Sequence, residues 1–316
     1  MKTPIVYVAL QQFCEADDTP RRLLREAGCE VRENPFGRRL LRQEVSRLLA
    51  EAEAVIAGVE PYDAKVLAAL PKLQCISRCG VGTESIDLEA ARRRGIAVYT
   101  TPDEVTEPVA QLTVALILAL ARHLPQHLDA ARAGRWEKHA GVLLSEWTIG
   151  LIGFGRIGRA VERLLRPFSP RILAADPALT SGDVPDAVQC VELAALLAQA
   201  DVVSLHASRP VDAGPLLGRH ELSAMKRGSY LVNTARGHLV EEAALVDALQ
   251  SGHLAGAALD VFAEEPYTGP LARFPQVIAT PHVASLTRAS RAAMERRCAT
   301  NVLDWLSRIP CLDRRS

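Results

Sequence analysis

The sequence lacks a net charge, a metal-spaced cysteine motif and a long apolar run, and each absence excludes a class of protein. Lysine plus arginine and aspartate plus glutamate number 37 each, so no overall field attracts a nucleic acid or an anionic membrane. The basic run at 91–95 is interpreted as the polar end of a helix that is closed by a glycine. The sequence therefore predicts neither a nucleic-acid partner nor a membrane partner.

The seven cysteines are scattered, and no pair has the Cys-x-x-Cys spacing of a zinc site. Cys75 and Cys79 lie four residues apart in or beside a predicted strand, and we interpret them as buried thiols. An odd number of scattered cysteines is typical of a reducing compartment. We therefore expect a cytoplasmic location and no bound metal.

No apolar run has the length that a membrane span requires. The longest, at 109–121, has thirteen residues and includes Gln111 and Thr113, which suits a core helix. The apolar run at 5–10 is too short for the hydrophobic region of a signal peptide.

Short β-rich runs alternate with amphipathic segments, and the alternation restarts after the helix predicted at 109–121. Such alternation requires a parallel sheet with helices on both faces. Because 316 residues exceed what one core usually supports, we predict an α/β protein with two doubly wound units. The predicted strands lie at 5–9, 31–33, 54–57, 73–77, 96–99, 148–152, 171–175, 201–206, 229–233, 256–259 and 276–279.

A glycine-rich turn, Gly153-x-Gly155-x-x-Gly158, follows the predicted strand at 148–152 and opens a helix. The first glycine permits a tight turn, the second lets the backbone approach a pyrophosphate, and the third packs the helix on the strand. Asp176 ends the next predicted strand, where an acid accepts hydrogen bonds from a ribose 2′-hydroxyl and repels a 2′-phosphate. The turn therefore predicts a Rossmann unit that binds NAD rather than NADP.

A Rossmann unit also suits a methyltransferase or a flavoprotein, so the reaction must be inferred from other residues. Arg236, Glu265 and His282 follow predicted strands of the second unit, where open α/β sheets bind ligands. Hydride transfer from an alcohol needs a base, a cation for the carboxylate, and a group that sets the pKa of the base. The three residue types match these needs, although each of them alone is more commonly structural.

Several motifs then occur in one order along the chain. They are Arg-Cys-Gly-Val-Gly at 78–82 with Ser-Ile-Asp at 85–87, the glycine turn, Asn-Thr-Ala-Arg-Gly at 233–237, Asp-Val-Phe-x-x-Glu-Pro at 260–266, and Pro-His at 281–282. With these motifs the chain resembles the D-isomer-specific 2-hydroxyacid dehydrogenase family over nearly its whole length. The resemblance implies a Rossmann NAD-binding domain at 101–284, inserted in a flavodoxin-like substrate domain at 1–100 and 285–316.

The resemblance also implies catalytic roles. His282 is expected to be the acid/base, and Glu265, preferred to the neighbouring Glu264, is expected to pair with it. Arg236 is expected to bind the substrate carboxylate and carbonyl oxygen, a task that suits a permanently charged guanidinium.

Two further groups of residues are implied to bind ligands. In the substrate domain, Arg78 and the backbone N–H groups of Val81 and Gly82 are expected at the substrate. Asp260 is expected to meet the nicotinamide carboxamide. The residues expected at NAD are Gly153, Gly155, Arg156, Ile157, Gly158, Asp176, His206, Thr234, Ala235 and Asp260.

The implied activity is hydride transfer between NAD(H) and C2 of a small D-2-hydroxy acid or 2-oxo acid. The implied assembly is a homodimer, with an arm at 128–136 whose Trp136 reaches the active site of the partner subunit. Phosphoglycerate is disfavoured as the substrate because the segment at 57–61 contains an acid and no cation. Arg209 is either a surface residue or a second cation at the substrate. In the second case a diacid or phosphonate is an alternative substrate. A non-catalytic NAD(H) sensor is the alternative of another class.

Overall fold

The structure is a computed structural model and describes residues 3–308. The chain divides into two compact units. Unit 1 comprises Met1–Val105 and Leu286–Ser316, and unit 2 comprises Thr106–Ser285, whereas the sequence-based boundaries lie at 100 and 285. Unit 2 is therefore a continuous segment that interrupts unit 1, and the roles expected of the two units stay predictions.

Unit 1 contains a five-stranded sheet in the order β2-β1-β3-β4-β5, in which every pairing is parallel. This is the flavodoxin-like order. The strands are β1 (Ile5–Val8), β2 (Glu30–Glu33), β3 (Ala54–Ala57), β4 (Cys75–Arg78) and β5 (Ala97–Tyr99). The helices are α1 (Thr19–Glu26), α2 (Arg42–Leu48), α3 (Ala64–Ala68), α4 (Leu88–Arg93) and α11 (Arg288–Arg308).

Aspartate caps fix where two of these helices begin. The carboxylate of Asp63 accepts hydrogen bonds from the N–H groups of Lys65 (2.9 Å) and Val66 (3.0 Å) at the start of α3. Asp87 accepts one from Ala90 N (2.8 Å) at the start of α4. Each cap satisfies donors that the first helical turn leaves without partners, so the loops before α3 and α4 end at defined points.

Unit 2 contains a seven-stranded parallel sheet in the order β12-β11-β10-β9-β6-β7-β8. The order reverses at β6, which pairs with β7 on one side and β9 on the other, and ligands bind at such a switch point. The strands are β6 (Thr148–Ile152), β7 (Arg171–Ala175), β8 (Val188–Cys190), β9 (Val202–Leu205), β10 (Ser229–Asn233), β11 (Leu254–Leu259) and β12 (Val277–Ala279). The helices are α5 (Thr106–Ala121), α6 (Leu124–Arg132), α7 (Arg156–Leu165), α8 (Leu193–Gln199), α9 (Arg219–Ala224) and α10 (Glu242–Gln250).

The predicted fold class is confirmed, since both sheets are parallel and carry interleaved helices. Strands β3, β9 and β10 are buried along their whole length, because both faces of the sheet are covered. The apolar run at 109–121 forms most of α5, which packs against α7 in the core. Among residues 3–308 no single helix is long and apolar enough to span a membrane. Helices α5 and α6 meet these two criteria only when they are taken together, and the pair is bent by 67°.

None of the six cysteines that the structure describes forms a disulfide, and Cys75 and Cys79 are buried as predicted. The seventh, Cys311, lies outside the described residues. Within 3–308 no group of three or more His, Cys, Asp or Glu side chains could hold a metal ion. The cytoplasmic location stays a prediction.

Candidate active site

The glycine turn forms a cradle between β6 and α7, and two of its three glycine positions have no room for a side chain. Gly153 has φ +89°, and a Cβ there would lie 2.6 Å from the backbone nitrogen of Ala207. A Cβ on Gly158 would lie 2.4 Å from the carbonyl oxygen of Gly153, whereas one on Gly155 would meet nothing within 4 Å. Gly155 therefore borders open space at the N-terminus of α7. This is the geometry that lets a pyrophosphate approach the backbone and the positive end of the helix dipole.

Arg156 and Ile157 are the first two residues of α7, so their backbone groups lie in the turn where a phosphate would bind. Asp176 follows β7, and both of its carboxylate oxygens accept backbone hydrogen bonds. One comes from Phe154 N (2.9 Å) and the other from Ala178 N (2.9 Å). The carboxylate is thus fixed beside the glycine cradle, where it would meet a ribose 2′-hydroxyl.

A cavity of about 950 Å³ opens beside this cradle, a size suited to a nucleotide. Its lining includes Gly153, Gly155, Asp176, His206 and Arg209. The lining includes residues at the ends of β6, β7 and β9, at the switch point of the sheet. The cradle, the fixed acid and the cavity together fit the dinucleotide that the sequence predicts.

His206 lines this cavity as a neutral imidazole. Burial lowers its pKa to about 4, so the ring carries no charge at neutral pH. Its Nε2 shares a hydrogen bond of 2.9 Å with Ser204 Oγ, while its buried Nδ1 has no partner among the described residues. A buried ring nitrogen without a hydrogen-bond partner destabilises the folded protein, and a hydroxyl or phosphate oxygen of the cofactor would supply that partner.

Arg209 lies in the lining of the same cavity. Its Nη2 donates to the carbonyl oxygen of Ala213 (2.7 Å), and its own carbonyl oxygen lies 2.9 Å from His238 Nε2. The side chain therefore braces its own loop at the cofactor cavity. This arrangement gives no support to the idea that Arg209 is a second cation for a diacid substrate.

His282 and Glu265 form a direct pair in unit 2. His282 Nδ1 lies 2.8 Å from Glu265 Oε2, and Glu265 Oε1 accepts a hydrogen bond from Phe262 N (3.1 Å). The side chains are 47% and 37% exposed, so a ligand can reach them. Because Nδ1 is engaged with the carboxylate, Nε2 is the ring nitrogen left to exchange a proton with a substrate.

Asp260 holds the segment that carries His282. This fully buried carboxylate accepts hydrogen bonds from Thr280 Oγ1 (2.6 Å), Val283 N (2.9 Å) and Ala284 N (2.8 Å). These donors flank His282, whose backbone has the left-handed φ of +54°. A position that was predicted to meet the nicotinamide carboxamide thus also positions the histidine.

The loop at 233–237 is braced by its own polar groups. Asn233 accepts from Ala235 N (3.0 Å) and donates to Arg236 O (2.9 Å), and Arg236 Nη1 donates to Ala235 O (2.7 Å). A Cβ on Gly237 would lie 1.9 Å from the backbone carbon of Phe262, so this loop lies directly against the one that carries Glu265. The structure therefore gathers Arg236, Glu265 and His282 on adjoining, mutually supported segments of unit 2.

Thr234 Oγ1 lies 2.8 Å from Thr113 Oγ1 in the interior, which anchors the same loop to α5. The sequence predicts that Thr234 lies at NAD, and it assigns no role to Thr113, Phe262 or Thr280. Thr280 directly precedes the Pro-His motif and Phe262 lies within the Asp-Val-Phe motif, so proximity to a motif was the signal available.

In unit 1 the residues predicted to bind substrate form one loop after β4. The guanidinium of Arg78 donates from Nε to Gly82 O (3.1 Å) and from Nη1 to Cys79 O. Val81, between these two carbonyl groups, is 41% exposed. Arg78 thus contacts the backbone of the loop that was predicted to bind substrate beside it.

Comparisons with known proteins identify the family of the chain. A family model described as "D-isomer specific 2-hydroxyacid dehydrogenase, NAD binding domain" matches residues 114–284. The chain is 38% identical over 274 residues to a glyoxylate reductase of Thermofilum pendens, covering 83% of this chain and 80% of that protein. It is 35% identical over 275 residues to a D-3-phosphoglycerate dehydrogenase of Archaeoglobus fulgidus, covering 85% of this chain and 52% of that protein. The chain thus spans about half the length of the phosphoglycerate dehydrogenases that it matches.

A solved structure has the same fold as this chain. The TT0316 protein of Thermus thermophilus superposes with a TM-score of 0.86 at 38% identity, covering 96% of this chain and 97% of that one.

Proposed function

Because the chain belongs to the D-isomer-specific 2-hydroxyacid dehydrogenase family, we propose that it is an NAD-dependent oxidoreductase of small D-2-hydroxy acids and 2-oxo acids. The observation that carries this proposal is the pairing of His282 Nδ1 with Glu265 Oε2 at 2.8 Å, in the unit that carries the dinucleotide cradle. Bound NAD(H) supplies the acceptor or donor of the hydride. The side chains of unit 2 supply proton transfer and substrate binding.

In this reaction His282 exchanges the proton through Nε2. During oxidation the neutral ring takes the hydroxyl proton of the substrate, and during reduction the imidazolium returns it to the carbonyl oxygen. Glu265 orients the ring through its hydrogen bond to Nδ1, and the Phe262 N–H group fixes the carboxylate in turn. Asp260 holds both sides of the histidine through Thr280, Val283 and Ala284.

Arg236 binds the substrate carboxylate and polarises the carbonyl oxygen. A guanidinium keeps its charge at every working pH and presents several donors in a fixed plane. Its loop is braced by Asn233 and by close contact of Gly237 with Phe262, so the side chain starts from a defined backbone position.

We propose short 2-oxo acids such as glyoxylate and hydroxypyruvate as the substrates. A glyoxylate reductase and a hydroxypyruvate reductase are matched over 80% and 87% of their own length, which supports reduction of small acids. The phosphoglycerate dehydrogenases match over about half of theirs. The loop after β3 also carries the buried acid Glu60 and no cation, which disfavours a phosphate in that loop.

We further propose a homodimer that forms through α6 and the arm that follows it. Leu124 and Leu128 of α6 are about half exposed, and Trp136 is 88% exposed. An apolar stripe that ends in an exposed indole is typical of a surface that a second subunit covers. Sedimentation of a monomer at micromolar concentration would reject this part of the proposal.

A screen of 2-oxo acids with NADH, followed by absorbance of the dinucleotide, tests the activity. We expect His282→Ala to lower kcat/KM by about 10²- to 10⁴-fold, because it removes the acid/base. His220→Ala is the matched control, since His220 lies on the exposed surface of α9 in the same unit. Tight NADH binding without turnover of any acid would instead favour a non-catalytic NAD(H) sensor.

A further inference from the structure

Unit 1 contains a backbone loop, residues 79–82, whose shape depends on the side chain that precedes it. We propose that Arg78 is a positioning residue that holds this loop open as a carboxylate-binding backbone, and that it is not a ligand for a charged substrate tail. The inference rests on the proposed function and deepens it, because the loop would bind the carboxylate group that every 2-oxo acid has.

The guanidinium of Arg78 bridges the two ends of the 79–82 loop. Its Nε donates to Gly82 O at 3.1 Å, and its Nη1 donates to Cys79 O. Gly80, between them, has φ +137°, and a Cβ there would lie 2.5 Å from Nη1. A side chain at position 80 would therefore displace the guanidinium. The bridge made by Arg78 thus depends on the glycine at position 80.

The other side of the loop is held by neighbouring strands. Gly80 N donates to the buried Thr101 Oγ1 (2.8 Å), and Thr101 N donates to Gly80 O (2.9 Å). Cys79 N donates to Ala57 O at the end of β3 (2.8 Å). The carbonyl groups of residues 79, 80 and 82 are thus all occupied.

The N–H groups of Val81 and Gly82 remain available. Within residues 3–308 neither of them donates to a protein acceptor, and Val81 is 41% exposed. Two successive N–H groups at the carboxyl edge of a parallel sheet form a site that attracts an anion. Because Arg78 binds the loop through its carbonyl oxygens, the loop keeps the conformation in which these two donors stay unpaired.

Glu60 is a buried acid whose charge influences Arg78. Its carboxyl group is 2% exposed and accepts a hydrogen bond from Gly58 N (2.8 Å). Burial lowers the pKa of Arg78 and raises that of Glu60, and the charge of each group opposes the shift of the other. A phosphate drawn to this guanidinium would therefore also meet an acid.

A tail phosphate is recognised by an arginine that offers two free parallel N–H groups. At Arg78, both Nε and Nη1 are already committed to loop carbonyl oxygens. Loss of this side chain should therefore weaken binding through the carboxylate that all 2-oxo acids share. It should not select between tails.

The test compares Arg78→Met and Arg78→Lys with the wild type, using glyoxylate, hydroxypyruvate and phosphohydroxypyruvate with NADH. We expect Arg78→Met to raise KM about ten- to hundredfold by the same factor for each acid, with the KM for NADH unchanged. Arg78→Lys should not restore KM, because an ammonium on a flexible stem cannot bridge both carbonyl groups. Arg94→Met is the matched control, since Arg94 also donates to a backbone carbonyl of unit 1, that of Leu70 (2.9 Å).

Two kinetic results would overturn the proposal. One is a rise in KM confined to phosphohydroxypyruvate, which would make Arg78 a tail ligand. The other is full recovery in Arg78→Lys, which would make charge rather than the bridge decisive.

Hydrogen exchange separates this inference from the proposed function, because it needs no turnover. Amides of Cys79 and Gly80 should exchange at least tenfold faster in Arg78→Met than in wild type or Arg94→Met, since the loop loses its bridge. Unchanged exchange would refute the bridge even if every acid is reduced. Faster exchange in a protein that reduces none of the acids would leave the bridge established and the proposed function wrong.

Discussion

Asp260→Asn tests whether the placement of His282 depends on one buried carboxylate. In the wild type the two oxygens of Asp260 accept from Thr280 Oγ1, Val283 N and Ala284 N at 2.6–2.9 Å. The amide of asparagine has one oxygen. If that oxygen takes the position between Thr280 and Val283, the NH₂ group faces the N–H group of Ala284. The variant then loses the hydrogen bond from Ala284 N. In its place two donors, the asparagine NH₂ group and the N–H group of Ala284, face each other without an acceptor.

The magnitude follows from burial. Asp260 is fully buried and Ala284 is 5% exposed, so water cannot replace the lost bond. A hydrogen bond to a charged acceptor contributes about 1.5–3 kcal/mol. We therefore expect the free energy of unfolding to fall by about that amount. The same free energy would destabilise the position of His282 that proton transfer requires. We then expect kcat to fall about ten- to hundredfold, because about 1.4 kcal/mol corresponds to a factor of ten.

The assay measures kcat, the KM for NADH and urea unfolding for Asp260→Asn and Thr280→Val. Thr280→Ser, which keeps the hydroxyl, should retain most of the activity that Thr280→Val loses. Asp247→Asn is the control for the same chemical change at an exposed position, and its kcat should match the wild type. Weaker NADH binding with unchanged kcat in Asp260→Asn would refute the reasoning and leave Asp260 a cofactor ligand alone.

Three further predictions concern unit 2. His206 is neutral when folded, with its pKa lowered by burial from 6.5 to about 4, so its stabilising effect is complete above about pH 6.5 and is lost as the pH falls toward 4. The free energy of unfolding should decrease between pH 7 and pH 5 by about 2 kcal/mol less in His206→Gln than in the wild type. An equal decrease in both proteins would contradict this prediction. Gly237→Ala, whose Cβ would lie 1.9 Å from a backbone carbon of Phe262, should lower Tm and kcat together, and native kcat would show that the two loops are independent. Asp176→Ser should shift the ratio of NADH to NADPH dissociation constants about tenfold toward NADPH, by titration of nucleotide fluorescence; an unchanged ratio would place the selectivity elsewhere.

The parallel strands and the glycine cradle were predictable because their signals are local. A strand that is buried on both faces is mostly apolar, and β6 and β10 are recognisable by their apolar centres. The cradle has a fixed glycine spacing, because the close contacts at Gly153 and Gly158 admit no other residue.

Strand β8 and helix α11 escaped prediction for different reasons. Strand β8 has three residues at the edge of the sheet, too few to establish a pattern. Helix α11 has twenty-one residues but carries many arginines, and its buried side chains Met294, Cys298, Val302 and Trp305 are widely spaced. Their spacing of three or four residues is the period of a helix, but the arginines of the segment weaken the apolar pattern.

The network around the candidate site was only partly predictable, because most of its partners are backbone atoms. The identities of Asp260 and Arg78 are visible in the sequence. That Asp260 accepts from Val283 N and Ala284 N, and that Arg78 donates to Cys79 O and Gly82 O, depends on backbone positions that the fold sets. Sequence patterns therefore identified these two residues, but not that each of them braces a loop.

The interruption of unit 1 by unit 2 imposes an order on folding during synthesis. Thr106–Ser285 leaves the ribosome as one continuous segment that can complete its own core, whereas the sheet of unit 1 waits for α11 to cover one face. Until Cys298 and Val302 arrive, the apolar surface that they bury beside β4 stays open to water and to other chains. Helper proteins that shield nascent chains should therefore be needed mainly by the part of this protein that is made first.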